Sequence, residues 1–268
     1  MKTVLGIDAA WTIKNPSGVA LMVEEHDSWR CAGVAPSYQS FIDLAKGQPV
    51  EWKARLEGSE ADLALLLSTS AELASCQRPS IVAVDMPLAT SCFMGRREAD
   101  RETSRRFGEF GCPVHSPTAK RPGKIGERLM TSLKDADYPL ATTATDPSTR
   151  PATIEVYPHA AIVRLMRLKM RHKYKVSRSH KLWPNTCVRS RVRKLISAFH
   201  ELKHALDREI ADIDLPFPEL GENVALSHLK PYEDALDALV CAWVGICYIE
   251  GRAEPFGNEI AAIWVPTV

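Results

Sequence analysis

The sequence predicts an α/β fold in which a mixed sheet, made of antiparallel hairpin strands plus parallel strands, is flanked by helices. Residues 3–25 contain two apolar runs on either side of a turn-rich segment at 14–17, and this pattern predicts a hairpin. Residues 81–84 form a third apolar, β-branched run, and the long connection before it contains a predicted helix at 61–75. Because a long helical connection suits a parallel crossover, we expect the third run to pair in parallel with the first.

The rest of the chain continues to alternate between strands and helices. We predict strands at residues 29–34, 152–158 and 261–265, helices at 40–45, 159–169, 189–210 and 231–250, a loop at 112–126, and a surface linker at 135–151. The last helix begins at Pro231 and is followed by Gly251, which is the usual asymmetry of helix ends. We expect a single domain over residues 1–268, with a basic helical insertion at about 164–210.

Composition excludes several classes of protein. The 34 basic and 33 acidic residues nearly balance, so any nucleic-acid contact must come from a local patch. No apolar run approaches the roughly 18 residues of a membrane span, and the N-terminus has no signal-peptide pattern. The seven cysteines are odd in number and lack C-x-x-C spacing, so they predict reduced thiols of a cytoplasmic protein rather than a zinc site or a disulfide framework.

Two aspartates follow the first and third apolar runs. Asp8 ends the first strand and Asp85 follows the run at 81–84. If these strands are parallel neighbours, their carboxyl ends lie about 4.8 Å apart, at the edge where open α/β sheets bind ligands. Two carboxylates at such a short separation repel each other unless a cation lies between them or one of them is protonated. The sequence therefore predicts a site for Mg²⁺ or Mn²⁺ that contains Asp8 and Asp85.

Three further acids lie in apolar surroundings. Asp234 and Asp237 are three apart near the start of the last helix, and Glu155 lies within the strand at 152–158. The helix dipole explains Asp234 but fades at Asp237, one turn deeper. Several carboxylates are what two Mg²⁺ ions about 4 Å apart require, and such a pair hydrolyses phosphodiesters.

Two basic segments are candidates for contact with nucleic acid. Arg97 and Arg101 are four apart, so they share a helix face, which is either a solvated face with ion pairs or a phosphate clamp. Residues 164–194 contain twelve Lys or Arg and no acid, with Tyr174 and Trp183 among them, and they form either a solvated face or a nucleic-acid surface. The candidate nucleic-acid-binding residues are Arg97, Arg101, Lys120, Arg189, Arg191 and Arg193.

Motifs along nearly the whole chain resemble a known family. They include Gly6-Ile7-Asp8-Ala9-Ala10, Val84-Asp85-Met86-Pro87-Leu88, Glu155-Val156-Tyr157-Pro158-His159-Ala160 and Asp234-Ala235-Leu236-Asp237-Ala238-Leu239. They resemble the domain of unknown function 429 family, which is described as predicted nucleases of the ribonuclease H-like superfamily. The resemblance implies a ribonuclease H-like fold. It also implies that Asp8, Asp85 and Asp237 are metal ligands, with Asp234 or Glu155 as a fourth.

The leading interpretation is a metal-dependent nuclease that hydrolyses DNA or RNA by a two-metal carboxylate mechanism. One alternative is a non-catalytic nucleic-acid-binding protein that uses the basic insertion. Another is a nucleotide-binding phosphotransferase of the actin-like fold, which would need a glycine-rich turn after Asp8, and residues 9–14 do not form one. His115 and His159 lie outside the superfamily pattern and are more often structural than catalytic in such positions.

Overall fold

A seven-stranded mixed sheet forms the centre of the protein. The computed structural model describes residues 1–267 with the exception of Arg55, Cys76, Met94, Ala119 and Pro147. The strands are β1 (Thr3–Asp8), β2 (Gly18–Glu25), β3 (Ser28–Ala35), β4 (Ile81–Val84), β5 (Ala152–Val156), β6 (Ala253–Gly257) and β7 (Ala262–Pro266). Their order is β3-β2-β1-β4-β5-β7-β6. Strands β1, β4, β5 and β7 are parallel, whereas β2 and β6 are antiparallel to their neighbours, which confirms the predicted fold class.

Helices cover both faces of the sheet. They are α1 (Tyr38–Ala45), α2 (Leu63–Leu73), α3 (Glu98–Phe107), α4 (Lys124–Asp135), α5 (Pro158–Leu165), α6 (Ser179–Leu182), α7 (Val188–Leu206) and α8 (Lys230–Ile249). Helices α5, α7 and α8 pack on one face, and α1, α2 and α4 pack on the other. No helix in the described residues is long and apolar enough to cross a membrane.

The side chains of β1 alternate between the two cores. Val4 lies in the core beneath α8, whereas Leu5 and Ile7 lie in the core beneath α1 and α2. Both faces of this strand are fully buried, as expected for the central strand of a covered sheet. The layout, with an antiparallel hairpin followed by parallel strands, is consistent with a ribonuclease H-like arrangement.

Some elements differ from the sequence prediction. Helix α4 and strand β6 were not predicted, and the segment 135–151 is only partly a surface linker. Within it Tyr138, Leu140 and Ala141 are buried, and the Tyr138 hydroxyl donates to the Pro79 carbonyl at 2.7 Å. Helix α7, predicted as part of a basic insertion, buries an apolar face in the same core as α8.

Helix α8 crosses β1 and β2 at unusually short range, because glycines lie beneath it. A Cβ at Gly6 would stand 2.3 Å from the Ala238 carbonyl oxygen, and a Cβ at Gly18 would stand 2.1 Å from the Asp234 carbonyl oxygen. Any side chain at these positions would therefore push the helix away from the sheet. Since Gly18 pairs with Asp8, the helix brings its own acids to the end of β1.

We predict that Gly6→Ala destabilises the protein by about 3 kcal/mol, because the new methyl group has no space against the backbone of α8. Gly221→Ala is the matched control, since a Cβ there meets nothing within 4 Å. Urea unfolding of both variants measures the difference. Equal stability of the two would show that α8 does not depend on this close approach.

Candidate functional site

Asp8 and Asp85 lie side by side at the carboxyl edge of the sheet. The backbone N–H of Asp85 donates to the Ile7 carbonyl at 2.9 Å, which continues the parallel pairing of Ile7 with Val84. Both aspartates are partly exposed, although the strands that lead to them are fully buried. The structure thus brings together the two strand-end acids that the sequence singled out.

Helix α8 adds two more carboxylates to these strand ends. Asp237 is fully buried and Asp234 is 2% exposed. Burial, together with the negative charges of Asp237 and Asp234, raises the pKa of Asp8 well above its usual range. Burial and then the charge of Asp237 raise the pKa of Asp85 to about 7. The four acids therefore form one carboxylate cluster, defined here as Asp8, Asp85, Asp234 and Asp237, whose members destabilise one another's charge.

The segment Tyr174–Val176 binds the acids of α8 and is called the basic strap here. The Tyr174 hydroxyl donates to Asp237 Oδ1 at 2.5 Å, and Lys175 Nζ forms an ion pair with Asp237 Oδ2. The Val176 N–H donates to Glu233 at 2.5 Å, and Lys175 Nζ is 3.5 Å from the same carboxylate. Burial alone would lower the pKa of Lys175, but Asp237 and its other partners raise it well above its usual value. Lys175 is thus the cation that compensates Asp237.

Asp234 is not simply an acid that stabilises the start of a helix. It forms an ion pair with Lys230, one turn earlier on α8, and burial raises the pKa of Asp234 to about 6. Glu233 is also buried and lies 3.0 Å from Lys230. Although burial opposes it, the charges of Lys175 and Lys230 lower the pKa of Glu233. Glu233, Lys175 and Lys230 were not among the predicted site residues. The pairing of Lys175 depends on how the basic strap folds back, whereas Lys230 reaches Glu233 and Asp234 at the local i,i+3 and i,i+4 spacings of a helix, a signal that could have identified it.

Glu155 forms a buried ion pair with Arg97 beside the cluster. Both of its oxygens accept from the Arg97 guanidinium at 2.6 Å, and one accepts from the Leu88 N–H at 2.8 Å. Arg97 also pairs with Asp100 at 2.6 Å and is itself 7% exposed. Here Arg97 precedes α3 rather than sharing a face with Arg101, so it does not form half of an exposed phosphate clamp. Glu155 and Arg97 satisfy each other and hold the loop after β4 in place.

Two of the acids, Asp8 and Asp85, have the chemistry to hold a divalent ion, whereas the third expected ligand, Asp237, is already bonded to other side chains. Asp8 and Asp85 have carboxylate oxygens, are partly exposed and form no ion pair among the described residues, and one or two such carboxylates are what Mg²⁺ or Mn²⁺ uses when waters complete its coordination. Asp237 is instead committed to Tyr174 and Lys175. Among the residues that the structure describes, no group of three or more His, Cys, Asp or Glu is arranged to hold a metal ion.

The remaining candidate nucleic-acid residues are mostly on the surface. Arg189 and Arg193 are exposed on α7 and four residues apart. Arg191 is half-buried, and its Nε has no hydrogen-bond partner among the residues that the structure describes. Lys120 is exposed, and Arg101 is exposed but lies 3.0 Å from Glu98. The structure does not gather these residues into the carboxylate cluster.

A cavity of about 210 Å³ opens beside Asp85. Its lining includes Trp11, His115, His159 and Arg171, so it joins an acid of the cluster to basic and aromatic groups. His159 is largely buried in the first turn of α5, and its Nε2 accepts from the Arg171 guanidinium. Burial, followed by the charges of Lys175 and Arg171, lowers the pKa of His159 well below its usual value, so the ring is neutral.

We predict that Asp85→Asn raises the stability of the metal-free protein at high pH. The folded-state pKa of Asp85 is about 7, above the usual value near 4, so ionisation above pH 7 costs the native state more than the unfolded chain. The melting temperature of the variant, measured in chelator, should exceed that of wild type at about pH 8, and the gap should close toward about pH 4. A constant gap would contradict the raised pKa.

We also predict that Lys175→Met destabilises the fold by about 3 kcal/mol, because it leaves Asp237 buried without its cation. Lys173→Met is the control, since Lys173 is exposed two residues away. Adding Asp237→Asn to the Lys175→Met variant should recover most of the loss in urea unfolding. If Lys175→Met and Lys173→Met unfold alike, Lys175 does not compensate the cluster.

Comparison with known proteins assigns the chain to a family. No curated protein and no solved structure matches it. The model of the family described as "Protein of unknown function (DUF429)" matches residues 6–262. This range includes every member of the carboxylate cluster and the whole basic strap, and it spans most of the 268 residues. The chain therefore belongs to the DUF429 family.

Proposed function

We propose that this protein is a metal-dependent nuclease of the ribonuclease H-like superfamily, which hydrolyses phosphodiester bonds in DNA or RNA. The observation that carries the proposal is the adjacency of Asp8 and Asp85 at the carboxyl edge of the sheet, with both pKa values raised. Neither carboxylate has a described ion pair of its own. Burial and the charge of Asp237 disfavour the ionised form of both acids, and a bound cation would offset that cost.

Asp8 and Asp85 would hold Mg²⁺ or Mn²⁺, since this chemistry uses one or two carboxylates, waters and a substrate phosphate. When bound, such an ion supplies Lewis-acid polarisation of the phosphoryl oxygen and a water of lowered pKa. The two-metal mechanism expected from the sequence would also need Asp237 as a ligand. In this structure both oxygens of Asp237 are bonded, one to Tyr174 and the other to Lys175. The two-metal mechanism therefore stays a prediction that requires the basic strap to move.

The other members of the site position these two acids. Lys175 forms an ion pair with Asp237, so the buried carboxylate of α8 next to Asp8 has a cationic partner. The Arg97–Glu155 pair fixes the loop that follows Asp85, through the bond from the Leu88 N–H. Trp11, at the wall of the neighbouring cavity, offers an aromatic surface on which an unpaired base can stack.

The exposed cations of α7 provide a surface for the nucleic-acid backbone. Arg189 and Arg193 face solvent, and neither has a described carboxylate partner. Contacts of this kind bind phosphates without reading the sequence, and their strength falls steeply with salt. They suit substrate retention on the same side of the sheet as α8.

One observation favours a second candidate function, a non-catalytic nucleic-acid-binding protein. The ion pair between Lys175 and Asp237 neutralises the helical acid that the superfamily pattern assigns to the metal. A protein that only binds nucleic acid would keep its basic surface and have no use for a divalent ion. Metal dependence therefore separates the two functions.

We predict that wild type binds Mn²⁺ or Mg²⁺ in calorimetry and cleaves mixed DNA and RNA substrates only with the ion present. Asp8→Asn and Asp85→Asn should each lower cleavage at least about 100-fold, because a lost metal ligand should cost at least as much as a lost second-shell contact. Asp135→Asn, at an exposed position ending α4, is the control and should leave both ion binding and cleavage unchanged.

Two results would decide against the proposed function. Equal metal affinity in wild type, Asp8→Asn and Asp85→Asn would place the ion elsewhere. Salt-sensitive binding of nucleic acid by wild type, with no cleavage at any divalent concentration, would establish the non-catalytic alternative instead.

A further inference from the structure

The cavity beside Asp85 is lined by two acids, Asp85 and Glu155, and by the basic residue Arg171, and Glu155 is already paired with Arg97. Burial and then the positive charges of Lys175, Arg171 and Arg178 lower the pKa of His159. Within the described residues, the Arg171 guanidinium has no carboxylate partner, and its side chain donates a hydrogen bond to the His159 ring. A cation left uncompensated and partly buried at a cavity wall is an anion-binding feature.

The hydrogen bonding of His159 shows that this ring does not compensate the positive charge of Arg171. Because a guanidinium only donates, Nε2 of His159 must accept, and the ring hydrogen must lie on Nδ1. That Nδ1 is buried and has no partner within the described protein. His159 therefore cannot serve as an anionic or acidic partner for Arg171, and it only fixes the position of the guanidinium.

The backbone holds Arg171 in this place. Its N–H donates to the Phe110 carbonyl at 2.7 Å, which ties the segment to the turn after α3. His159 in turn lies in the first turn of α5, where the helix dipole also favours negative charge nearby. Arg171 is thus presented from a fixed backbone and against a fixed ring, which reduces the entropy lost on binding a ligand.

We propose that this cavity is a phosphate-binding subsite in which Arg171 donates to the nonbridging oxygens of a phosphate or phosphodiester. A planar guanidinium matches the geometry of such oxygens, and His115 at the exposed rim adds a second donor. Trp11 favours a nucleotide over free phosphate, because a base can stack on its ring while the phosphate reaches Arg171.

The subsite deepens the proposed nuclease function and rests on it for the identity of the substrate. Asp85 and Arg171 line the same cavity, so a phosphodiester bound by Arg171 lies beside a carboxylate that is proposed to hold the ion. Anion binding itself does not depend on catalysis, and so it can be measured on its own.

The test is calorimetry in chelator, with inorganic phosphate and a short oligothymidylate as separate probes of wild type and variants. Arg171→Met should lower the affinity for each probe by about tenfold or more, because it removes a charge-assisted hydrogen bond. Arg208→Met removes the same charge from an exposed position outside the cavity and should leave both affinities unchanged. Trp11→Ala should lower the affinity for the oligonucleotide and leave the affinity for inorganic phosphate unchanged. That difference would identify a nucleotide as the ligand.

Two further variants cover the case in which Arg171→Met does not fold. Arg171→Lys keeps the positive charge but loses the planar guanidinium with its paired donors. His115→Gln changes an exposed residue of the cavity lining. Each variant should lower the affinity for both probes. Unchanged affinity in both, or no binding of either probe by wild type, would overturn the subsite.

The outcome is independent of the nuclease assay. If affinity depends on Arg171 but wild type cleaves nothing with any divalent ion, the subsite stands and the nuclease proposal fails. If wild type cleaves and Arg171→Met binds both probes as wild type does, the subsite is wrong and the nuclease proposal stands.

Discussion

The close packing of α8 on β1 and β2 is the constraint on which the rest of the site depends. Gly6 and Gly18 leave no side chain between helix and sheet, so the helix backbone lies almost against the strands. This contact places Asp234 and Asp237 beside Asp8, where hydrophobic packing forces like charges together. The electrostatic cost is a consequence of the fold, and the neighbouring residues are arranged to offset it.

Two cations reduce that cost from the same side of the cluster. Lys175 pairs with Asp237 and Lys230 pairs with Asp234, so both acids of α8 are compensated. Asp8 and Asp85 are left without an ion pair among the described residues, and their pKa values stay raised. The two acids of the cluster without an ion pair are therefore the strand-end acids, which are also the members of the cluster that solvent can reach.

Much of this arrangement could be predicted from the sequence, and the limit of prediction has a physical reason. Apolar runs that end in an acid predicted β1, β4 and the adjacency of Asp8 and Asp85, because strand pairing is regular. The partners of Asp237 and Glu155 could not be predicted, since Lys175 and Arg97 reach them across long sequence separations. Periodicity describes one element at a time, and it carries no signal for an irregular strap or loop that folds onto another element.

Asp85 and Arg171, an acid and a base, line one cavity, and their arrangement connects the acids to the proposed chemistry. Among the described residues, Asp8 and Asp85 form no ion pair and Arg171 has no carboxylate partner, although Asp85 and Arg171 line the same cavity. If folding alone determined their positions, a direct ion pair between them would lower the energy of both. The structure instead keeps Arg171 on the neutral His159 ring. Under the proposed function, a phosphodiester bound together with a divalent ion would supply both missing partners. Its negative oxygens would accept from the arginine, and the ion would bind the carboxylates.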